Sequence, residues 1–310
     1  MWREICGAAL TVCILFWNVE NLFDPFDDPL KNDDEFTARA ERHWTWDRFV
    51  RKCDGIAQAV LAVADETGTL PALVGLAEVE NRLVVSRLAN KTVLGELGYG
   101  FVHRESPDER GIDVALLYRK DVLRVVAVDS LRVPGFETRD ILYVQMHERD
   151  IPGVTLGSDR GLTGNLHVFV VHLPSKRGGA RSTDERRAAA LAVLGQAVEA
   201  LLADDTTARI VVMGDFNDTD STVPRLSRPA SESTSGAPGT LKYHGRWEQI
   251  DWVFVSPALQ DSAAMRIFAP PFLLEPDAAY LGDKPRRTYV GPRYNGGLSD
   301  HLPIILQIFR

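Results

Sequence analysis

Apolar residues along the chain gather in short, nearly continuous runs, and in two longer stretches they recur every three or four positions. The short runs are "TVCILFW" (11–17), "ALVGLA" (72–77), "DVALLY" (113–118), "LRVVAV" (123–128), "LHVFVVHL" (166–173), "RIVVM" (209–213), "IDWVFVS" (250–256) and "LPIILQIF" (302–309). Rich in Val, Ile and Leu and bounded by Gly, Pro, Asn and Asp, they predict strands, several of them covered on both faces. In 47–64, Phe49, Cys53, Ile56, Ala57, Val60 and Ala64 fall on one helical stripe. In 184–202, Leu191, Leu194, Val198, Leu201 and Leu202 do the same, behind Thr183 or Asp184 as a cap. That order predicts sheets with helices on their outer faces. No Pro/Ser linker divides the chain. The stretch "SRPASESTSGAPG" (227–239) reads as a surface loop, so one domain is expected over residues 1–310.

The strand ends carry an unusual load of polar groups. Asn18 and Glu20 close the first run in "FWNVENLFD", Glu78 closes the second in "VGLAEVEN", and His172 stands near the end of "FVVHLPSK". "RIVVMGDFND" ends in Asp215 and Asn217, Asp251 opens "DWVFVS", and Asp300 with His301 precedes the last strand in "GGLSDHLPIIL". Each group sits beside an apolar run, where burial without a partner would be costly. One convergent site would satisfy all of them. Carboxylate and amide oxygens suit a hard cation such as Mg²⁺ or Mn²⁺. His and Asp suit proton transfer, and a metal with an imidazolium suits charge developing on a phosphoryl group. Together they are equipment for metal-assisted hydrolysis of a phosphate ester. Taken singly, each has a plainer reading. "GDFND" makes an Asx turn, Glu78 caps a helix starting near Val79, Asp300 caps a local turn, and His172 is a core histidine.

With 310 residues, 45% hydrophobic and 25% charged, the chain has ordinary globular composition and length enough for a sizeable core. A net charge of -8 argues against a generally basic surface for gripping nucleic acid, though not against a locally basic cleft. Cys6, Cys13 and Cys53 form neither a disulfide framework nor a zinc site. The apolar stretch Ile5–Trp17 is read as a first core strand: Glu4 cancels Arg3, and no small-x-small cleavage site precedes Asn18. A cytoplasmic location follows, with export as the alternative if residues 1–15 derive from a signal segment. Nothing later approaches the ~20 apolar residues of a membrane span, so no stable membrane insertion is expected. Nothing in the pattern specifies an oligomeric state.

"GDFND" and "SDHLP", in that order behind "FWNVENLFD", "GLAEVEN", "RGIDVALLYR" and "WEQIDWVFVS", resemble the endonuclease/exonuclease/phosphatase superfamily, the deoxyribonuclease I-like proteins, and its bacterial branch most of all. The superfamily includes apurinic endonucleases, inositol polyphosphate phosphatases and neutral sphingomyelinases. The resemblance runs from "WNVENLFD" to "SDHLPIIL". It implies an α+β, four-layer α/β/β/α sandwich of two mostly antiparallel sheets with outer helices and the site at one end. It further implies Glu78 as principal metal ligand, helped by Asn18 and Asp300. Asp215 would orient or deprotonate the attacking water, and Asn217 would position the nucleophile or phosphate. His301 would contact the phosphate, kept cationic by Asp251, and His172 would stabilise the leaving oxygen or the pentavalent state.

Other features rank second. Glu20 would point to the same side as Asn18, as a second-metal carboxylate or a salt-bridge partner. Lys176, Arg177 and Arg181 on the loop "SKRGGARS", and Arg286, Arg287 and Arg293 in "DKPRRTYVGPRY", offer charge to substrate phosphates or serve as solvated surface. Arg110 and Asp113 read as sheet-edge pairing first and site second, and "DPFDDPLKNDDEF" (24–36) as a solvated acidic loop. Two rivals fail. A calcineurin-like phosphoesterase needs D-x-H and G-N-H motifs that this chain lacks, and an EF-hand needs Gly where Asp220 stands. A non-catalytic binding protein on the same fold would be expected to have lost one of Glu78, Asp215, Asn217, Asp300 or His301, and all five are present. The expected substrate is a phosphodiester in a nucleic acid or nucleotide, ahead of a monoester on an inositol phosphate, lipid headgroup or other phosphorylated small molecule.

Overall fold

A computed structural model describes residues 11–149, 165–175, 180–231 and 237–309. Lys176 and Arg177 lie outside the described residues. Each apolar run of the sequence is a strand. In chain order the elements are β1 (Thr11–Leu22), α1 (Trp46–Thr67), β2 (Leu73–Val79), α2 (Arg82–Asn90), β3 (Tyr99–His103), β4 (Asp113–Arg119), β5 (Leu123–Leu131), β6 (Ile141–Glu148) and β7 (Asn165–His172). Then follow α3 (Ala180–Asp204), β8 (Arg209–Asp215), β9 (Ala230–Ser231), β10 (Asp251–Val255), β11 (Ala263–Ile267) and β12 (Ile304–Phe309). Short hairpins and single helical turns fill the connections.

Two large, mostly antiparallel sheets result, in a mixed α+β architecture. One has the order β3-β4-β2-β1-β12-β11-β9 and the other β10-β8-β7-β6-β5. They pack face to face, and Gly75 marks the fit: a Cβ there would lie 2.9 Å from Met213 Sδ of the opposite sheet. The parallel pairs β1/β2 and β7/β8 each require a crossover, and the two long helices α1 and α3 provide them. Thr45 caps α1 by accepting from the Arg48 amide, and Gly68 ends it in the left-handed region at φ 74°. The α1 stripe is buried through Phe49, Cys53, Ile56, Ala57 and Val60; α3 buries Ala190, Leu194, Val198 and Leu202. Because α3 opens at Ala180, Thr183 and Asp184 lie inside it, not ahead of it as a cap.

Strands β3, β6 and β11 were not legible as apolar runs. "YGFVH" is short and holds a glycine, "ILYVQMHE" alternates buried with half-buried positions, and "AAMRI" is alanine-rich. The acidic stretch 24–36 is only partly solvated, since Asp24 and Asp33 are buried. Asn81 Nδ2 donates to Asp24 at 2.9 Å, and Asp33 accepts from the Asp28 amide at 3.1 Å. Among the described residues, no helix is long and apolar enough to cross a membrane.

Candidate active site

Strand register puts three of the site residues in one row. Asp251 of β10 pairs laterally with Asp215 of β8, and Asp215 with His172 of β7. Lateral partners point to the same face, so three titratable groups meet at one end of the second sheet. Gly214 makes this row possible, because a Cβ there would lie 2.2 Å from the Val171 carbonyl oxygen. The first sheet answers with Asn18 and Glu78. Its register slips between Asn18 and Leu22 on β1 and between Ala77 and Val79 on β2, and Glu20 (φ 47°), Asn21 (φ 53°) and Glu78 (φ 62°) take left-handed backbone there. Asn217 does the same at φ 51°. Such conformations cost about 1–3 kcal/mol each for non-glycine residues and re-aim side chains at functional edges.

The side chains converge. Asn18 Nδ2 donates to Asp215 Oδ2 at 3.0 Å and to Glu78 Oε1 at 3.3 Å, while its Oδ1 accepts from the Glu20 amide at 3.0 Å. Glu78 Oε2 accepts from the Asn21 amide at 2.8 Å. Asp215 Oδ1 accepts from the Asn217 amide at 2.8 Å, so the Asx turn read from "GDFND" is real and occupies one oxygen. Oδ2 faces the site, 3.7 Å from His172 Nε2 and 3.9 Å from His301 Nε2. Asn217 Nδ2 donates to the Leu173 carbonyl at 2.9 Å. His301 Nδ1 lies 2.8 Å from Asp251 Oδ2, its carbonyl accepts from Trp17 Nε1 at 2.9 Å, and its Nε2 is 4.0 Å from Asp300 Oδ1. Glu20, Glu78, His172, Asp215, Asn217, Arg287, Asp300 and His301 line one cleft of about 220 Å³.

Burial and charge divide the titratable groups. Burial, reinforced by Asp251, pushes Asp215 up to about 7, against the opposing pull of His301 and Asn18. Burial opposes charge on His301, but Asp251, by charge and hydrogen bond, with Asp215 and Asp300, holds its pKa well above the ordinary value. His172 goes the other way: burial first, then Arg139, Arg110 and His301, keep it neutral. Arg139 Nη2 donates to His172 Nε2 at 3.3 Å, which places the ring proton on Nδ1. Among the described residues that Nδ1 has no hydrogen-bond partner.

Three cations at the cleft or behind it escaped the sequence reading or ranked low in it. Arg139 lines the cleft and lies 3.5 Å from Asp108; it precedes β6, the strand that the apolar runs did not reveal. Arg110 lines the cleft as well and donates to Asn21 Oδ1. Lys52 is buried on the apolar face of α1, between Phe49 and Ile56, where its place in the helical stripe was the available signal. Asp113 turns instead to His103 Nε2, 3.2 Å away.

Acidic groups here are able to hold a divalent ion. Among the described residues, Asp215, Asp251 and His301 cluster closely enough, as do His103, Glu105 and Asp113. The first cluster is already knit by the Asp251–His301 hydrogen bond. The carboxylates of Glu78 and Asp300 on the cleft wall are a hard-oxygen set of the kind hard divalent cations prefer.

A two-sheet sandwich with carboxylates and histidines converging at one end is the setting of a metal-dependent phosphoester hydrolase, the class to which the family match assigns the chain. A sequence profile described as Endonuclease/Exonuclease/phosphatase family matches residues 13–310, and the chain belongs to that family. The structure is similar to truncated Caenorhabditis elegans TDP2 at TM-score 0.61 and 18% identity, covering 97% of this chain and 98% of that one. It is similar to the human Nocturnin catalytic domain with bound sulfate anion at 0.56 and 18%, covering 97% and 96%. It is likewise similar to D. rerio TDP2 complexed with single strand DNA product at 0.56 and 16%, covering 97% and 99%. At these identities the likeness establishes the fold. No curated protein matches the chain.

Proposed function

We propose that the chain hydrolyses a phosphodiester by in-line attack of a water activated by Asp215, with Mg²⁺ or Mn²⁺ held by Glu78 and Asp300. The observation that carries this reading is the setting of Asp215 Oδ2, 3.0 Å from Asn18 Nδ2 and between His172 and His301, with its carboxyl pushed up to about 7. A general base works best with a pKa near the operating pH. A bound divalent ion supplies neutralisation of charge developing on a phosphoryl oxygen.

The remaining roles follow from the contacts. Asn18, with its nitrogen toward both carboxylates and its oxygen used by Glu20, orients Glu78 and Asp215 rather than presenting an oxygen ligand. Asn217 positions the water or the phosphate. His301, held cationic by Asp251, donates to a phosphoryl oxygen. His172 is neutral, so the positive charge on the leaving side comes from Arg139 beside it. Because both sheets contribute, the whole of residues 1–310 is read as one catalytic domain.

Arg110, Arg139 and Arg287 around the cleft support an anionic phosphoester substrate, and the likeness to D. rerio TDP2 with its single strand DNA product supports a phosphodiester. Bis-p-nitrophenyl phosphate and p-nitrophenyl phosphate with Mg²⁺ or Mn²⁺, with and without chelator, test it. Plasmid DNA, RNA, abasic duplex, inositol phosphates and sphingomyelin complete the panel. Metal-dependent cleavage of the diester ahead of the monoester is expected. Inertness across the panel would overturn the proposal in favour of a binding role.

A further inference from the structure

We infer that Arg287 is a resident cation standing where a second divalent ion would sit, so that the site takes one ion per chain. The inference rests on the metal-dependent reading above and concerns how that metal site is limited. Besides Asp215, three carboxylates line the cleft, Glu20, Glu78 and Asp300, a donor set that by count would serve two hard cations. Two of them are already bridged by arginine. Arg287 Nε and Nη2 donate to Glu20 Oε1 at 3.0 and 2.9 Å, and Nη2 also donates to Asp300 Oδ2 at 2.9 Å.

The other oxygen of Glu20 is engaged too, accepting from the Thr288 amide at 2.7 Å. Glu20 therefore has no oxygen without a protein donor, whereas Asp300 keeps Oδ1 for an ion. The arrangement is built from behind. Lys52, buried in α1, donates to the Glu20 carbonyl and to Thr288 Oγ1, the latter at 2.7 Å. One buried ammonium thus ties the residue that carries the carboxylate to the residue that follows the arginine. A second dication would have to break both hydrogen bonds to Glu20 Oε1 and the one to Asp300, and expel a guanidinium from carboxylates it already neutralises.

Arg287 also keeps a face for substrate. Its side chain lines the cleft and is 38% exposed, and among the described residues its Nη1 makes no protein hydrogen bond. Those donors suit a phosphoryl oxygen, the partner that a second ion would otherwise hold. Being permanently charged and unable to ionise a bound water, arginine contributes attraction without generating a nucleophile. Water activation then stays with Asp215.

The test titrates the full chain with Mn²⁺ alone, wild type and variants alike carrying Glu105→Gln to disable the separate His103–Glu105–Asp113 cluster, and counts bound ions by calorimetry and by the electron paramagnetic resonance of free Mn²⁺. Wild type is expected to bind one ion and Arg287→Met two, with Glu20→Gln changing the first ion's Kd less than roughly ten-fold, the loss typical of a disturbed metal shell. Two ions in wild type, one ion in a folded Arg287→Met, or a larger loss in Glu20→Gln would overturn the inference. If Arg287→Met does not fold, wild-type stoichiometry and Glu20→Gln decide. Bis-p-nitrophenyl phosphate hydrolysis is followed in parallel. Turnover with the wrong stoichiometry sinks this inference alone, whereas neither ion nor turnover sinks the metal-dependent reading with it.

Discussion

His301 Nδ1 and Asp251 Oδ2 lie 2.8 Å apart, closing a contact between residues 50 positions apart in the chain. Asp251, by charge and hydrogen bond, acts with Asp215 and Asp300 to outweigh the burial that would otherwise leave the imidazole neutral. Asp251→Asn keeps an acceptor at Nδ1 but removes the charge, so His301 should lose its proton at lower pH. The alkaline limb of the pH–rate profile should move down, and turnover should fall by roughly 10² or more. Ring-proton NMR of His301 checks the shift directly.

Asp215→Asn removes the proposed base while leaving its surroundings packed. Turnover should drop by about 10² to 10⁴, the range for general base catalysis. In wild type, activity should rise as pH passes through about 7, where Asp215 loses its proton. Near wild-type rates in the variant, measured on bis-p-nitrophenyl phosphate, would remove Asp215 from the mechanism.

Arg139 bears on His172, whose pKa is lowered first by burial and next by that guanidinium. In Arg139→Met the His172 pKa should climb toward its ordinary value, read by NMR titration. Turnover should fall by about 10², the cost of one lost transition-state donor. A purely structural arginine would leave the titration where it was.

The metal-free protein should lose stability as pH rises from 6.5 to 8. Burial raises Asp215 and Glu20 to about 7 and Glu80 to about 8, and Asp251 raises His301 against its burial. Native protein then holds protons that the unfolded chain has released, so the slope of stability with pH is negative in this window. His172, lowered by burial, acts in the opposite sense mainly at the lower end of the window, and Lys52, lowered by burial to about 8, mainly at its upper end, so three raised carboxyls and His301 set the net sign. Urea denaturation midpoints at the two pH values test the sign.

Gly214→Ala should destabilise by about 1–3 kcal/mol or more, because its methyl would meet the Val171 backbone of the adjacent strand rather than a movable side chain. Since Asp215 follows directly, turnover should fall beyond what the loss of folded protein explains. Denaturation and kinetics on the same preparation separate the two effects.

The sequence by itself determined the elements and the cast. Continuous apolar runs such as "RIVVM" and the α1 stripe report burial, which is local information written every residue or every turn. Polar residues at the ends of those runs, from Asn18 to His301, were legible because an apolar strand has little other reason to end in carboxylates. Tertiary structure alone decided the partners. Whether Glu20 meets a metal or Arg287, 267 positions away, depends on strand order and on bulges whose left-handed residues leave no periodic trace. Arg139 stayed hidden because β6 mixes buried and half-buried positions, and Lys52 because a lysine on a buried face acquires meaning only from what lies opposite. Periodicity records how deep a residue lies, whereas charge pairing across two sheets is set by register, which no short stretch of chain contains.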